Sequence, residues 1–501
     1  MALCIHILFL GYPWYIFNEM HETLIKSANI SFKNLTLTKL SFEGDYLIKK
    51  TVNKKKEVLF NLAVADKKAV NKKKKYPYVL SPKDKRALGR NGKKKSMKVQ
   101  ECRNVRNLNE RRYSVLHGSH PESGANLSKL PRVQEINSSF DIRVLAEILD
   151  KRLQIINASD EAIKYCAKSW HATCYNQYTM ANSCDKARGC LRTQLSQDTP
   201  TKIRQLVDRP NLKLRPNQIK PLQEMAELVD NTYDIIFLSA ASSNHYLELQ
   251  GLLQSLHTNV FLLFKNFTFL VYDLGFTSKQ RETLQKFCRC KLLTFRFFAF
   301  ENFATDLKKF AWKPYLVRAH LHQARVLVWM DTSIRFYHNP AGLQRLFTQD
   351  IGKFGVMVGY SVPDSCFTTC RSTYHWFGDE PCAYLGLPIF QASVLIFHND
   401  PVVHRLVVEP WTACAFNENC IAPSEEKCTG SSCASAMKTY HDYKLNNSAI
   451  AYGLCHHYDQ AVITLILHKL YLQYSPLLRI KKNETLIICR GDYHDYFGSL
   501  G

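Results

Sequence analysis

The sequence predicts an α/β protein: a mainly parallel, twisted sheet with helices on both faces, preceded by a disordered basic stem. Three observations carry that expectation. From Tyr233 onward, short apolar runs alternate with stretches of helical period, as in successive strand–helix units. Those runs are continuous rather than alternating, as in strands covered on both sides. Charge is also segregated: of a net +24, residues 49–98 hold 16, from 19 Lys and Arg against Glu57, Asp66 and Asp84.

The chain divides into four regions. Residues 1–25 contain ALCIHILFLGYPWYIF, an apolar run interrupted by His6, Gly11 and Pro13. It is shorter than the roughly 20 residues a spanning helix needs. It is expected to be a signal or type II anchor, although Lys-rich sequence after it runs against the positive-inside rule. Residues 26–140 form the stem. Its KKTVNKKKEV, ADKKAVNKKKKYP and GRNGKKKSMK stretches lack amphipathic period and read as disordered. With only Tyr76 and Tyr78 inside the basic run to stack on bases, the tract argues against nucleic acid as the partner. Residues 141–228 are a helical, cysteine-bearing prelude, since IRVLAEILDKRLQIINASDEAIKYCAKSW repeats apolar residues at three- and four-residue steps. Residues 229–501 are the sheet domain, which balances 25 basic against 22 acidic residues from Asp230 onward.

Within that domain YDIIFLSA is a buried strand, and ASSNHYLELQGLLQSLH a loop opening a helix. FTFLVYDLG, LLTFRFFAF, VLVWMD, GVMVGYS, QASVLIFHND and TLIICRGD follow as strands. TSKQRETLQKFC, KPYLVRAHLHQA and DQAVITLILHKLYL are helices between or after them. Seventeen cysteines, with no C-x-x-C pair, indicate disulfides in an oxidising compartment rather than structural zinc. Eight N-x-S/T sequons point the same way, to an ER or Golgi lumen or to secretion.

Ligands of such sheets gather at the carboxyl ends of the strands. The first strand ends in Ser239, Ser242, Ser243 and Asn244, small polar residues able to cap a helix or to present N–H groups to phosphate. Asp273 in VYDLG is either a ribose or base acceptor or a turn residue before Gly275. VLVWMDTSIRF delivers Asp331 to the end of a buried strand.

WMDTSIRF resembles the D-x-D region of GT-A sugar-nucleotide transferases. With LSAASSNHYLEL, VYDLG, KFAWKPYLVR, FQASVLIFHND and HHYDQAVITLIL, it resembles domain of unknown function family 1647 from about Leu228 to the end. The resemblance implies a GT-A-like sheet and a divalent metal, usually Mn²⁺, that neutralises the diphosphate of a UDP- or GDP-sugar donor. Asp331, Ser333 and His494 are then the candidate metal ligands, with Ser333 standing where a second acid is expected. Asp459, opening the last long helix, is either the general base or a helix cap. Lys313 and Arg335 are candidate diphosphate partners, and Gln391 opens the strand on the sugar side. Trp376 and Trp411 are candidates to stack on a sugar, or else buried anchors. The function expected is a secretory-pathway glycosyltransferase acting on a glycan or glycoprotein. A non-catalytic sugar-binding relative on the same fold is the alternative, favoured by Ser333.

Overall fold

Four apolar runs do become parallel strands: β1 (Tyr233–Ala241), β2 (Phe267–Asp273), β3 (Lys291–Thr294) and β4 (Ala324–Met330). After a short β5 (Ile334–Phe336), strands β6 (Val356–Gly359) and β7 (Gln391–His398) complete a six-stranded sheet ordered β3-β2-β1-β4-β7-β6. β1 lies parallel to both β2 and β4, and β2 to β3. β7 runs antiparallel to β4 and to β6. The computed structural model describes residues 100–105, 133, 135, 140–159, 184–185, 189–190, 195, 198–359, 365, 368–384, 387–424, 453, 455–481 and 484–499. The apolar run at 2–17 and the Lys-rich stretch 49–98 lie outside them. Among the described residues no helix is long and apolar enough to cross a membrane.

Ile235 through Leu238, and Val326 through Met330, are fully buried at every position, so side chains of both parities are covered. That is why the runs read as unbroken apolar sequence. Helices α1 (Ile142–Asn157), α2 (Thr199–Val207) and α3 (Pro216–Ala226) precede the sheet. Their apolar stripes, Leu145, Leu149 and Ile156 on α1 and Leu222 and Met225 on α3, join the same core as the strands. Arg152 of α1 reaches the end of β7 through a buried ion pair with Asp400, at 2.7 Å.

Helix α4 (Tyr246–Asn259) follows β1, α5 (Ser278–Phe287) follows β2, and α6 (Trp312–His320) precedes β4. A capping box starts α5: Thr277 accepts from Gln280 N, while the Gln280 side chain accepts from Thr277 N. The third expected strand is shorter than LLTFRFFAF. Pairing with β2 stops at Thr294, and Phe297–Ala299 is a turn of 3₁₀ helix. Aromatic burial organises that segment instead, with Phe300 stacked between Phe295 and Tyr315 at 5.1 and 4.4 Å.

Two late helices, α7 (Glu409–Ala415) and α8 (Tyr458–Tyr471), pack on each other, and β8 (Leu486–Ile488) pairs antiparallel with β5. Disulfides join Cys102 to Cys489, Cys288 to Cys290, and Cys414 to Cys420. These pairings fit the oxidising environment expected from the cysteine count.

Candidate functional site

The strand order reverses between β1 and β4. From β1 the chain moves out through β2 to β3, then returns to place β4 on the other side of β1. The loops leaving these two neighbours therefore diverge, opening the crevice in which such sheets bind ligands. The loop after β1 carries Ser242 to His245, and the residue after β4 is Asp331.

Asp331 stands at the crevice with its side chain 30% exposed. Its N–H donates to Ser393 O at 2.7 Å, and Trp329 Nε1 donates to its Oδ1 at 3.1 Å. Lys313, the second residue of α6, lies behind it: Nζ is 3.3 Å from Asp331 Oδ1 and 2.8 Å from Asp459 Oδ2. The ammonium also donates to Ala392 O at 3.0 Å and lies over the Trp329 ring. One ammonium thus ties together α6, β4, β7 and α8.

Only 3% of the Lys313 side chain and 5% of Asp459's are exposed. Burial opposes the lysine's charge, but its two carboxylates outweigh burial and hold its pKa above the ordinary value. Asp459 fares differently. Burial pushes its pKa up to about 6, Lys313 pulls it down, and the charge of Asp331 pushes it up again. A single ammonium serves two acids, and the more deeply buried acid is the one left short of compensation.

The other expected site residues divide into those the structure brings to this crevice and those it commits elsewhere. Gln391 opens β7, next to Ala392, and is half-buried. Ser242 and Asn244 lie on the β1 loop, bonded to each other at 2.6 Å. Ser239 is fully buried, its hydroxyl donating to Met330 O at 2.8 Å, so it pins β1 to β4 and meets no ligand. Asp273 is the turn residue: Oδ1 accepts from Gly275 N and Phe276 N at 2.7 and 2.6 Å, and Oδ2 pairs with Arg281.

Arg335 is a strut rather than a phosphate contact. Nη1 donates to Thr332 O and Ile334 O, Nη2 to Glu248 O and Asp492 O, and Nε to Asp492 Oδ2. With every nitrogen bonded and only 2% of the side chain exposed, it has nothing left for a ligand. It fits because α4 has a glycine there: a Cβ at Gly251 would sit 2.2 Å from Arg335 Nη2. Trp411 is likewise a fully buried anchor, with Nε1 donating to Asp459 O at 3.0 Å.

The expected metal ligands do not assemble. Ser333 is 3% exposed, and its carbonyl accepts from Cys489 N. The His494 ring packs along Tyr496, and its backbone N–H donates to Leu247 O. Among the described residues no three His, Cys, Asp or Glu side chains converge as a metal centre requires. Asp331, facing an ammonium and lacking a second acid at 333, does not fit a divalent ion held by a D-x-D pair.

One group at the crevice escaped the sequence reading. His245 ends the β1 loop with 53% of its side chain exposed, and its Nδ1 is 3.2 Å from Glu248 Oε2. Glu248 is buried and fully employed: Oε2 also accepts from Thr332 Oγ1 at 2.5 Å, and Oε1 from Gly491 N at 2.8 Å. The bond to Glu248 raises the imidazole pKa against partial burial, and the charges of Glu248 and Asp331 add to it. The H-x-x-E spacing at a helix start was the available signal. Two aromatic residues near Lys313, Phe310 and Tyr458, adopt left-handed backbone at φ 53° and 47°, with their rings 6.0 Å apart. Non-glycine residues held there are strained, and such strain concentrates at functional positions.

Residues 162–318 match the model of a family described as "Protein of unknown function (DUF1647)". The match takes in β1 through most of α6, Lys313 included, and stops short of Asp331. No curated protein matches the chain. Among solved structures, a galactosyltransferase, LgtC, bound to donor and acceptor sugar analogues is similar at 13% identity over 47% of this chain and 70% of its own, with a TM-score of 0.26. Mouse xyloside xylosyltransferase 1 is similar at 13% identity, covering 50% of this chain and 84% of its own, with a TM-score of 0.25. The mannosyltransferase Ktr4p from S. cerevisiae in complex with GDP is similar at 11% identity, over 53% and 81%, again at 0.25.

Proposed function

We propose that this chain is a glycosyltransferase that takes a sugar from a nucleoside diphosphate and passes it to a glycan or glycoprotein hydroxyl within the secretory pathway. The observation that carries the reading is the placement of Asp331 and His245, both open to solvent, on the two loops that diverge at the β1/β4 reversal. Sugar transfer breaks the bond from the anomeric carbon to a diphosphate, forms one to the acceptor oxygen, and releases the acceptor proton. The leaving diphosphate gains negative charge, so a cation near it lowers the barrier. His245, held by Glu248 and open to solvent, is the cation at the crevice that could serve. Lys313 is buried under two acids, and Arg335 is spent.

Asp331 is the acid that reaches solvent, suited to accept from a donor or acceptor hydroxyl. Asp459 sits behind Lys313 and acts on the site through it, fixing the ammonium that fixes Asp331. The disulfides support a luminal or secreted setting, with the run at 2–17 as signal or anchor.

Thermal unfolding of the protein with UDP or GDP, with and without Mn²⁺, tests the reading. A ligand that binds only the folded state raises the midpoint, by an amount corresponding to about 2.7 kcal/mol at a hundredfold excess over Kd. A rise with one nucleotide that is lost in Asp331→Asn is the expected result. The Mn²⁺ arm decides whether a metal contributes. Absence of any shift with either nucleotide would remove the transferase reading. Ser333, standing where a second acid is expected, favours one other reading, a sugar-binding protein on the same fold. It predicts nucleotide-independent glycan binding and no donor hydrolysis.

A further inference from the structure

A second concavity lies where the segment preceding the sheet meets α7. It is a cavity of about 330 Å³ lined by Pro210, Asn211, Lys213, Arg215, Gln218, Trp376, Ala413, Phe416 and Asn417. None of the crevice residues contributes to it. The geometry of α7 explains the separation: Trp411 bonds to Asp459 O, while Ala413 lines the cavity. Residues two apart on a helix point about 200° apart. The cavity therefore opens on the far side of α7 from Asp459.

Its chemistry is uneven in a way that selects a ligand. Trp376 and Phe416 supply apolar aromatic surface, and Asn211, Gln218 and Asn417 supply the amide atoms left over by their own bonds to Trp376 O, Arg215 N and Asn419 N. Lys213 and Arg215 are exposed at the rim. Among the described residues neither has an acid within ion-pair distance. The amino end of α3 also opens there, since Arg215 precedes Pro216 and Gln218 lies in the first turn, adding the positive end of a helix dipole. Trp376 contributes a further unmet need: its buried Nε1–H finds no acceptor among the described residues. An oxygen-rich ligand seated beside it would remove that cost.

A flat apolar face beside amides and unpaired cations matches a sugar ring that has one carbon-bound face, several hydroxyls and a negative charge. The volume lies at the small end of ligand pockets, roughly 300–1,000 Å³, so it suits one or two such rings rather than a long chain. We propose that this cavity binds an acidic sugar unit of a glycan, through a carboxylate or sulfate held by Lys213 and Arg215. This site is independent of the nucleotide crevice and does not require that the chain be a transferase.

The test is calorimetric binding to the full chain. The probes are a hyaluronan tetrasaccharide, which carries uronates, a sulfated heparin tetrasaccharide, and neutral chitotetraose. The variants are Lys213→Ala/Arg215→Ala, both exposed, and Trp376→Phe, which keeps the ring and deletes the N–H. The expected result is saturable binding of at least one acidic probe. It should weaken by about tenfold or more in the double variant, as loss of charge-assisted hydrogen bonds requires, with the neutral probe weak throughout. Hyaluronan and heparin distinguish carboxylate from sulfate. Equal affinity in wild type and double variant would assign binding to the Lys-rich tract and overturn the proposal. So would a lack of saturable binding, or displacement of the acidic sugar by UDP, which would make the cavity a nucleotide site.

Discussion

Replacing Lys313 with Met removes an ammonium that two carboxylates share and that only 3% of its surface exposes to water. The side chain that replaces it fills similar volume, so packing changes little and the electrostatic loss dominates. Asp459 is left buried without a cation, and Ala392 O loses its donor. Removing one member of a buried pair costs about 3–5 kcal/mol.

The pH dependence follows from Asp459. Its folded pKa of about 6, against an ordinary 3.8, means that the folded state holds the proton more tightly than the unfolded state does. Stability is therefore fully present below about pH 4 and lost as pH rises through 6, by about 3 kcal/mol in all. Without Lys313, Asp459 loses the attraction that pulled its pKa down, so the loss grows and extends to higher pH. Urea unfolding at pH 5 and pH 8 should show Lys313→Met about 3–5 kcal/mol below wild type at pH 8. The deficit should shrink to about half at pH 5, where Asp459 is protonated in both proteins. Adding Asp459→Asn should recover part of the deficit, with a coupling of about 1–3 kcal/mol. A deficit under about 1 kcal/mol at pH 8, or one that does not change with pH, would refute the shared-ammonium account.

Arg335→Leu should cost about 3–5 kcal/mol in the same assay, since it leaves the Asp492 carboxylate and four carbonyls without their donor. Gly251→Ala should reproduce part of that loss, about 1–3 kcal/mol by urea midpoint, because its methyl would displace the same guanidinium. If a nucleotide binds, its affinity should fall as pH rises through the raised pKa of His245. Calorimetry across pH 5.5–8.5 should find that trend flattened in His245→Lys and the affinity lower throughout in His245→Ala. Cys102→Ser opens a link that spans 387 positions of sequence and should lower stability by about 2–4 kcal/mol, with a mobility change on non-reducing gels.

The sheet was legible because burial on both faces writes itself as an unbroken apolar run, and β1, β2, β4 and β7 stand where such runs stand. Asp331 was legible for the same reason, as the first charge after one of those runs. What sequence could not show was where long side chains turn. Lys313 and Arg335 look alike on paper, each a cation near an acidic motif. β5 turns Arg335 inward against the glycine of α4, while α6 aims Lys313 at carboxylates from two other elements. Both outcomes depend on contacts between segments remote in sequence, which local period and composition do not encode. For Ser239 and Asp273 the sequence left ligand contact and local backbone bonding both open, because a small polar residue at a strand end bonds backbone as readily as ligand, and in the structure both bond backbone.

Sorting the charges of the crevice by exposure separates frame from function. Glu248, Lys313, Arg335 and Asp459 are all at least nine-tenths buried, and each bonds or pairs with two or more segments of chain. Asp331 and His245 are the members that reach water, and each is held by one of the buried four: Asp331 by Lys313, His245 by Glu248. Thr332, adjacent to Asp331, bonds to Glu248, so the two supports are mechanically joined. A carboxylate and an imidazole of opposite charge, fixed near one another by a shared buried frame, cost little to organise when ligand arrives. That arrangement favours a ligand with hydroxyls to offer the acid and an anionic group to offer the imidazolium, and a sugar bound to a diphosphate has both. It also predicts asymmetry in mutational effects. Changes at Asp331 and His245 should alter ligand affinity with little loss of stability, whereas changes at the buried four should do the reverse. A variant of Asp331 or His245 that unfolds the protein while a Lys313 variant leaves it intact would contradict this division.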